Sequence, residues 1–116
     1  RPTWLTDVPE DAKVSCQEVF GPVAVFARYL DFEAALRAAN ASPYGLQAGV
    51  FTQSLPRMME AFESLEVGAV IINDIPTWRV DHMPYGGVKA SGLGREGPRY
   101  VIEEFTEPRL LAIKPR

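Results

Sequence analysis

The sequence changes character at Ile72, and that change limits the folds open to it. Between Val19 and Ile72, short apolar runs alternate with helical stripes. From Asn73 to Gly97 the periodicity stops, and five of the nine glycines (Gly86, Gly87, Gly92, Gly94, Gly97) sit there with Pro76 and Pro84. A stretch that long without regular structure inside a folded domain is normally a functional loop. The chain is therefore expected to be a regular framework that carries one long Gly/Pro loop.

The framework reads as α/β. Val23 to Tyr29 is β-branched and aromatic, bounded by Gly21-Pro22 and Asp31, and predicts a buried strand. Asp31 is placed to cap a helix through Ala39, with Phe32, Ala35, Leu36 and Ala39 on one stripe; Pro43 and Gly45 follow its end. Gly49 to Thr52 predicts a second strand. Ser54 then precedes a second helix with Pro56 in its first turn, on which Leu55, Met59, Phe62 and Leu65 keep the helical period. Ala69 to Ile72, apolar throughout, predicts a third strand covered on both faces. Strand, helix, strand, helix, strand with short connections is the βαβαβ pattern of a parallel sheet with flanking helices. Arg1 to Val14 predicts a lead-in with one edge strand. Pro98 to Phe105 predicts a short helix. Leu110 to Ile113 predicts a C-terminal strand, which needs a partner edge in this chain or another.

Composition narrows the function. The 116 residues carry 12 Lys and Arg against 15 Asp and Glu, a net charge of −3. Without a cationic cluster, a nucleic-acid partner is not expected. One Cys and one His can build neither an internal disulfide nor an ordinary structural zinc site, so no metal is expected. No apolar run approaches the ~20 residues of a membrane span. The chain opens on Arg1-Pro2, with neither Met nor an apolar leader, so an excised piece of a cytoplasmic protein is expected.

Several residues could carry chemistry, each with a plainer alternative. Gly92 to Gly97 spells GxGxxG, but a dinucleotide fingerprint needs a strand before it and an acidic residue after a second strand. The plainer alternative is a glycine-dependent turn before a helix. Cys16 is either a nucleophile, if a base lies within reach, or a small buried hydrophobe. Asn40-Ala41-Ser42 matches a glycosylation acceptor, which has no meaning without export. Glu18 precedes Phe20-Gly21-Pro22; its carboxylate, an acceptor only, could take both hydroxyls of a vicinal diol, or could be a solvated surface group.

Together these segments resemble the C-terminal part of an NAD(P)-dependent aldehyde dehydrogenase catalytic domain. Gln17 to Val23 resembles the family's E-x-F-G-P-V motif, and Asn40 to Thr52 its N-x-x-x-Y-G-L-x-A-x-V-F-T segment. Gly68 to Asn73 resembles its G-x-x-x-x-N strand, and Pro84 to Gly97 its P-[FY]-G-G-x-K-x-S-G-x-G-x-E loop. These ordered motifs cover nearly the whole chain from Cys16 onward.

The resemblance implies a role for each matching residue. Glu18 would bind the nicotinamide ribose diol of NAD or NADP, and Phe20 would press against the nicotinamide side. Tyr85 would wall the aldehyde tunnel, which the long loop lines. The stretch from Trp78 through Arg79 and His82 to Met83 would tune which aldehyde fits. Residues 1–105 would belong to the catalytic domain; residues 106–116 would form the terminal strand of the oligomerisation region, joining a neighbouring subunit of a dimer or tetramer through 106–114. The family's F-x-x-x-G-Q-x-C nucleophile and E-L-G-G general base have no counterpart here, so no catalytic residue is assigned, Cys16 included. A complete member proceeds through a thiohemiacetal, hydride transfer to NAD(P)+ and acyl-enzyme hydrolysis; this chain alone would be inactive, needing the remainder of its parent. The alternative is a stand-alone, non-catalytic interaction or subunit-association module. In the loop, Arg79 and His82 could pair with an anionic substrate, favouring small anionic or hydroxylated aldehydes, or could simply be solvated.

Overall fold

Local chemistry sets the elements, and the packing available within the chain sets how much of each is covered. A computed structural model describes residues 1–115. In chain order the elements are β1 (Thr3–Thr6), α1 (Lys13–Cys16), β2 (Val23–Phe26), α2 (Phe32–Asn40), β3 (Tyr44–Gly45), β4 (Gln47–Val50), α3 (Leu55–Ser64), β5 (Ala69–Ile72), β6 (Val88–Lys89) and α4 (Pro98–Glu104). The Asp31 side chain accepts the Ala34 N–H at 2.9 Å and caps α2, so an otherwise orphaned donor of the first turn is satisfied. Ser54 precedes α3 without a side-chain cap, and Pro56 occupies the first turn, where no backbone donor is needed.

The α/β architecture with parallel strands forms as expected, and its core lies on the second half of the framework. β4 and β5 pair in parallel, Gln47 opposite Ala69 through Val50 opposite Ile72. Leu36 of α2 with Ala61 and Leu65 from α3 and its C-cap form the buried cluster, and Phe32, Ala48, Val50, Val67 and Val70 pack around it. Asn40 ties the two helices: its Nδ2 donates to the Ser64 carbonyl at 2.6 Å and its Oδ1 accepts the Glu66 N–H at 2.8 Å.

Three expectations are corrected, and a fourth meets no partner within the chain. The three framework strands do not share one ladder: β2 pairs in parallel with β1, Thr3 opposite Val23 through Thr6 opposite Phe26. β2 is also not buried, for Phe26 stays half exposed and stacks on Trp4, ring centroids 4.4 Å apart. On α3 the covered side is Ala61 with Leu65, whereas Leu55, Met59 and Phe62 face outward. The strand expected at Leu110 to Ile113 finds no partner edge among the described residues: 106–115 carry no ladder and are exposed. Residue 116, the last of the 106–116 segment, lies outside the described residues. The apolar β2, α3 and terminal residues have a common reason for standing open. Each carries a face or an edge for which this chain supplies no partner, and an apolar pattern records burial without saying which chain provides it.

The same shortage appears in the dimensions. The Cα radius of gyration is 19.1 Å and the extents are 76 × 34 × 24 Å, where a compact chain near this length would have a radius of about 13 Å. Accessible surface reaches 9870 Å², against roughly 6,300 Å² for a compact monomer of this mass. The isolated 116-residue chain is therefore expected to bind a hydrophobic dye and to melt over a broad range. A sharp, dye-free cooperative transition by calorimetry would contradict that expectation.

Candidate functional site

The Gly/Pro loop keeps one shape because a single ammonium ties it to α2. Lys89 stands in the left-handed region, φ 55°, a conformation that costs a non-glycine residue about 1 kcal/mol or more. Its Nζ donates to the Asn40 carbonyl at 2.8 Å and the Ser42 carbonyl at 3.3 Å, and it pairs with the Glu66 carboxylate at 2.9 Å. All three ammonium donors are thus used, and the positive charge sits at the C-terminal carbonyls of a helix, where it is favoured. Ser91, two residues on, accepts the Gly45 N–H at 2.9 Å, and the Ala90 N–H donates to the Pro43 carbonyl at 3.0 Å. The short β3–β6 ladder, with Tyr44 opposite Lys89, completes the attachment.

Beyond β6 the loop folds back on itself. Tyr85 and Glu96 form an isolated antiparallel bridge: the Tyr85 N–H donates to the Glu96 carbonyl at 3.1 Å and the Glu96 N–H returns to the Tyr85 carbonyl at 2.6 Å. Arg95 reaches the Gly87 and Gly94 carbonyls at 2.9 and 2.7 Å, and its N–H donates to Glu104 Oε1 of α4 at 2.8 Å. Gly94 stands at φ 71°, and a Cβ there would lie 2.7 Å from that Glu104 carboxylate. The Gly92-to-Gly97 run is therefore a turn into α4; the two-residue β6 before it belongs to an antiparallel ladder and not to a parallel βαβ unit, so the run is not a dinucleotide fingerprint.

The bridge gathers two of the expected pocket residues. The Arg79 guanidinium lies over the Tyr85 ring, 4.3 Å from its centroid, and its Nη2 donates to Glu96 Oε2 at 3.2 Å. Both charges are largely exposed, 40 % and 64 %, so the pair adds no more than about 1 kcal/mol to stability, and what it fixes is orientation. Trp78 and His82 lie on the same loop, half exposed and exposed respectively. Tyr85 and Glu96 line an open cleft of about 470 Å³ whose wall includes Leu46 and Ser91.

Glu18 stands at the other side of that wall. Glu18 lines a second open cleft, of about 430 Å³, with Cys16, Tyr44, Leu46, Ala90 and Ser91. Leu46 and Ser91 are thus shared, and the two clefts adjoin. Phe20 is 99 % exposed. Among the described residues the Glu18 carboxylate has no hydrogen-bond or ion-pair partner, and with an open aromatic ring two residues on, the pair suits a ligand that carries both a diol and a flat ring. Cys16 is exposed, contrary to the small-buried-hydrophobe alternative, and its Sγ donates to the Glu10 carbonyl at 2.9 Å. Among the described residues no group of three or more His, Cys, Asp or Glu could hold a metal ion, and no helix is long and apolar enough to cross a membrane.

Sequence reasoning missed the anchoring roles of Lys89, Asn40 and Asn73. Asn73, at φ 60°, accepts the Thr52 N–H at 2.8 Å and holds the loop's first residue against β4. An Asn tolerates that backbone conformation, and the motifs quoted above fix Asn40, Asn73 and Lys89 as their Asn and Lys; those were the available signals, although they do not state the anchoring partners.

Comparison with known proteins shows the family. The model of the aldehyde dehydrogenase family matches residues 1–111, and the chain belongs to that family. It is 53 % identical over 112 residues to 3-sulfolactaldehyde dehydrogenase of Priestia aryabhattai, covering 97 % of this chain and 24 % of that protein. The crystal structure of aldehyde dehydrogenase 21 from Physcomitrella patens, in complex with the reaction product succinate, is similar at a TM-score of 0.88 and 47 % identity, over 91 % of this chain and 22 % of that one. Glyceraldehyde-3-phosphate dehydrogenase from Methanocaldococcus jannaschii, complexed with NADP, is similar at a TM-score of 0.82 and 43 % identity, over 89 % and 22 %. The chain spans about a quarter of the length of the relatives it matches.

The Lys89 attachment makes a prediction for the complete protein. Lys89→Met leaves two helix-end carbonyls and Glu66 without their cation, a loss of about 1.5–3 kcal/mol for bonds to a charged group. The Gly45 and Ala90 amides should then exchange with solvent at least about tenfold faster. Unchanged exchange by mass spectrometry would show that the loop is held by other means.

Proposed function

We propose that the complete protein oxidises a small anionic or hydroxylated aldehyde to its carboxylic acid with NAD or NADP, and that this chain supplies the wall between cofactor and substrate. The observation that carries the substrate class is the Arg79 guanidinium, seated on Tyr85 at 4.3 Å and held at one nitrogen by Glu96. Its Nε and Nη1 have no partner among the described residues, and an arginine with open donors suits a carboxylate, sulfonate or phosphate. The names of similar proteins point the same way: one acts on 3-sulfolactaldehyde, one was crystallised with succinate, and one is a glyceraldehyde-3-phosphate dehydrogenase. His82 and Trp78, on the same loop, complete the substrate side, and Tyr85 forms its aromatic wall.

On the other side of Leu46 and Ser91, Glu18 accepts the two hydroxyls of the nicotinamide ribose and Phe20 packs against the nicotinamide side. When bound, the cofactor supplies the hydride acceptor; these residues orient it. Residues 1–105 belong to the catalytic domain, and residues 106–114, with the apolar run Leu110 to Ile113 and no ladder here, take up a strand beside a neighbouring subunit of a cytoplasmic homo-oligomer. The family's nucleophile and general-base motifs are not in this sequence, so the chain alone performs no turnover.

Three measurements test the reading. The purified 116-residue chain should not reduce NAD+ or NADP+ with any aldehyde; reduction abolished by Cys16→Ala would overturn that. In the complete enzyme Glu18→Gln should slow hydride transfer in single-turnover measurements, and an unchanged rate would remove the ribose role. Arg79→Ala should lower kcat/KM for anionic aldehydes by about tenfold or more, the worth of a hydrogen bond to a charged group, while neutral aldehydes lose much less. Equal effects on both classes would remove the anion role.

A further inference from the structure

We propose that Glu96 is a positioning residue for substrate choice: it holds the Arg79 guanidinium on the Tyr85 ring so that the remaining donors present one fixed edge to an anion. This deepens the anionic-aldehyde reading above and rests on it.

Three features place the role on Glu96. First, Glu96 and Tyr85 are bridged through their backbones in both directions, at 3.1 and 2.6 Å. The ring beneath Arg79 and the carboxylate beside it therefore move as one unit. Second, the guanidinium is fixed from two directions, its face by Tyr85 at 4.3 Å and its Nη2 by Glu96 Oε2 at 3.2 Å. A planar group held at one face and one nitrogen has little freedom left, whereas a long side chain held by a ring alone can still slide and rotate over it. Third, Glu96 stands next to Arg95, which is locked to the Gly87 and Gly94 carbonyls and to Glu104. The carboxylate is thus mounted on a cross-tied part of the loop, and Arg79 on a part that lacks such ties.

The contribution to stability is small, because both charges are exposed. The contribution to recognition is larger, because an ordered donor edge spares the substrate the entropy of ordering a flexible arginine. Glu96 also limits which anions bind. It lies within 3.2 Å of one guanidinium nitrogen, so an anion that approaches on that side meets like charge, and one that approaches from the Nε and Nη1 side does not. The loop would thereby read where the anion sits on the aldehyde, and not only that one is present.

The test uses the complete enzyme with a matched pair of small aldehydes, one bearing a terminal carboxylate and one neutral. Arg79→Ala, Glu96→Ala and Glu96→Gln are compared by the ratio of kcat/KM for the anionic over the neutral substrate. Arg79→Ala should lower the ratio by about tenfold or more. Glu96→Ala should lower it by roughly three- to tenfold, with the loss falling in KM rather than kcat, and Glu96→Gln, which keeps the hydrogen bond but not the charge, should lie between Glu96→Ala and the parent enzyme. If Glu96→Ala does not fold, Glu96→Gln decides alone: a ratio below that of the parent enzyme supports the role. If Arg79→Ala lowers the ratio while both Glu96 variants leave it at the parent value, or raise it, the positioning role is wrong and the anion reading survives. If Arg79→Ala leaves the ratio unchanged, the anion reading fails, and this role with it.

Discussion

The loop that carries the candidate substrate residues depends on one lysine ammonium. Lys89 connects three pieces of chain that are remote in sequence: the end of α2 through Asn40 and Ser42, the residue after α3 through Glu66, and the Gly/Pro loop on which Lys89 itself sits. Its backbone adopts a left-handed conformation that a lysine does not favour. The arrangement holds because three acceptors converge where the side chain must end. With Lys89 fixed, Ser91 is in place to receive the Gly45 N–H, and Gly87 is in place to receive Arg95. The Tyr85–Glu96 bridge that orients Arg79 then follows from a loop whose two ends are anchored, Asn73 at one and Arg95 at the other.

Close backbone approach is the second condition for this arrangement. A side chain at Gly68 would collide with the Gly86 carbonyl, so the start of β5 and the loop can touch only through a residue without Cβ. Gly68 also donates its N–H toward the Leu46 carbonyl at 2.9 Å. Leu46 is the residue shared by the two clefts, so the wall between the Glu18 side and the Tyr85 side is held from behind by this contact. Fold and site are coupled here: the parallel β4–β5 ladder delivers Gly68, and Gly68 lets the loop lie against the ladder.

Where the sequence was legible, the signal was local. Asp31 capping α2, Pro98 opening α4 and the apolar Ala69–Ile72 strand each follow from residues within a few positions, and each forms with nearly the expected bounds. The motifs that identify the family lie in the same class, because their spacing is itself the signal. What was not legible depended on partners distant in sequence or outside the chain. Periodicity on α3 could not say that Ala61 and Leu65 would be covered while Phe62 stood open, since that choice is made by Leu36 of α2. The exposure of β2 and the lack of a partner edge at Leu110–Ile113 have the same origin: an apolar run states a need for cover without naming what covers it. Asn40 is the inverse case. Its neighbours match a glycosylation acceptor, but both ends of its side chain are engaged by backbone at Ser64 and Glu66, and only the tertiary arrangement reveals that.

The distribution of order within the chain follows the division of labour proposed for it. The well-packed part, α2 and α3 on β4 and β5, contains no candidate site residue. The candidate residues stand outside it, Glu18 and Phe20 before β2 and Arg79 and Tyr85 on the loop, and of these only Tyr85 has its backbone bridged. A binding wall needs side chains whose donors and rings stay available to a ligand. A module selected only for association would gain nothing from an arginine held on a ring with donors unspent among the described residues, or from a carboxylate without a partner among them. Burying or pairing those groups would stabilise the chain. That they stay open favours a wall made to meet a cofactor and an aldehyde over a surface made only to hold subunits together.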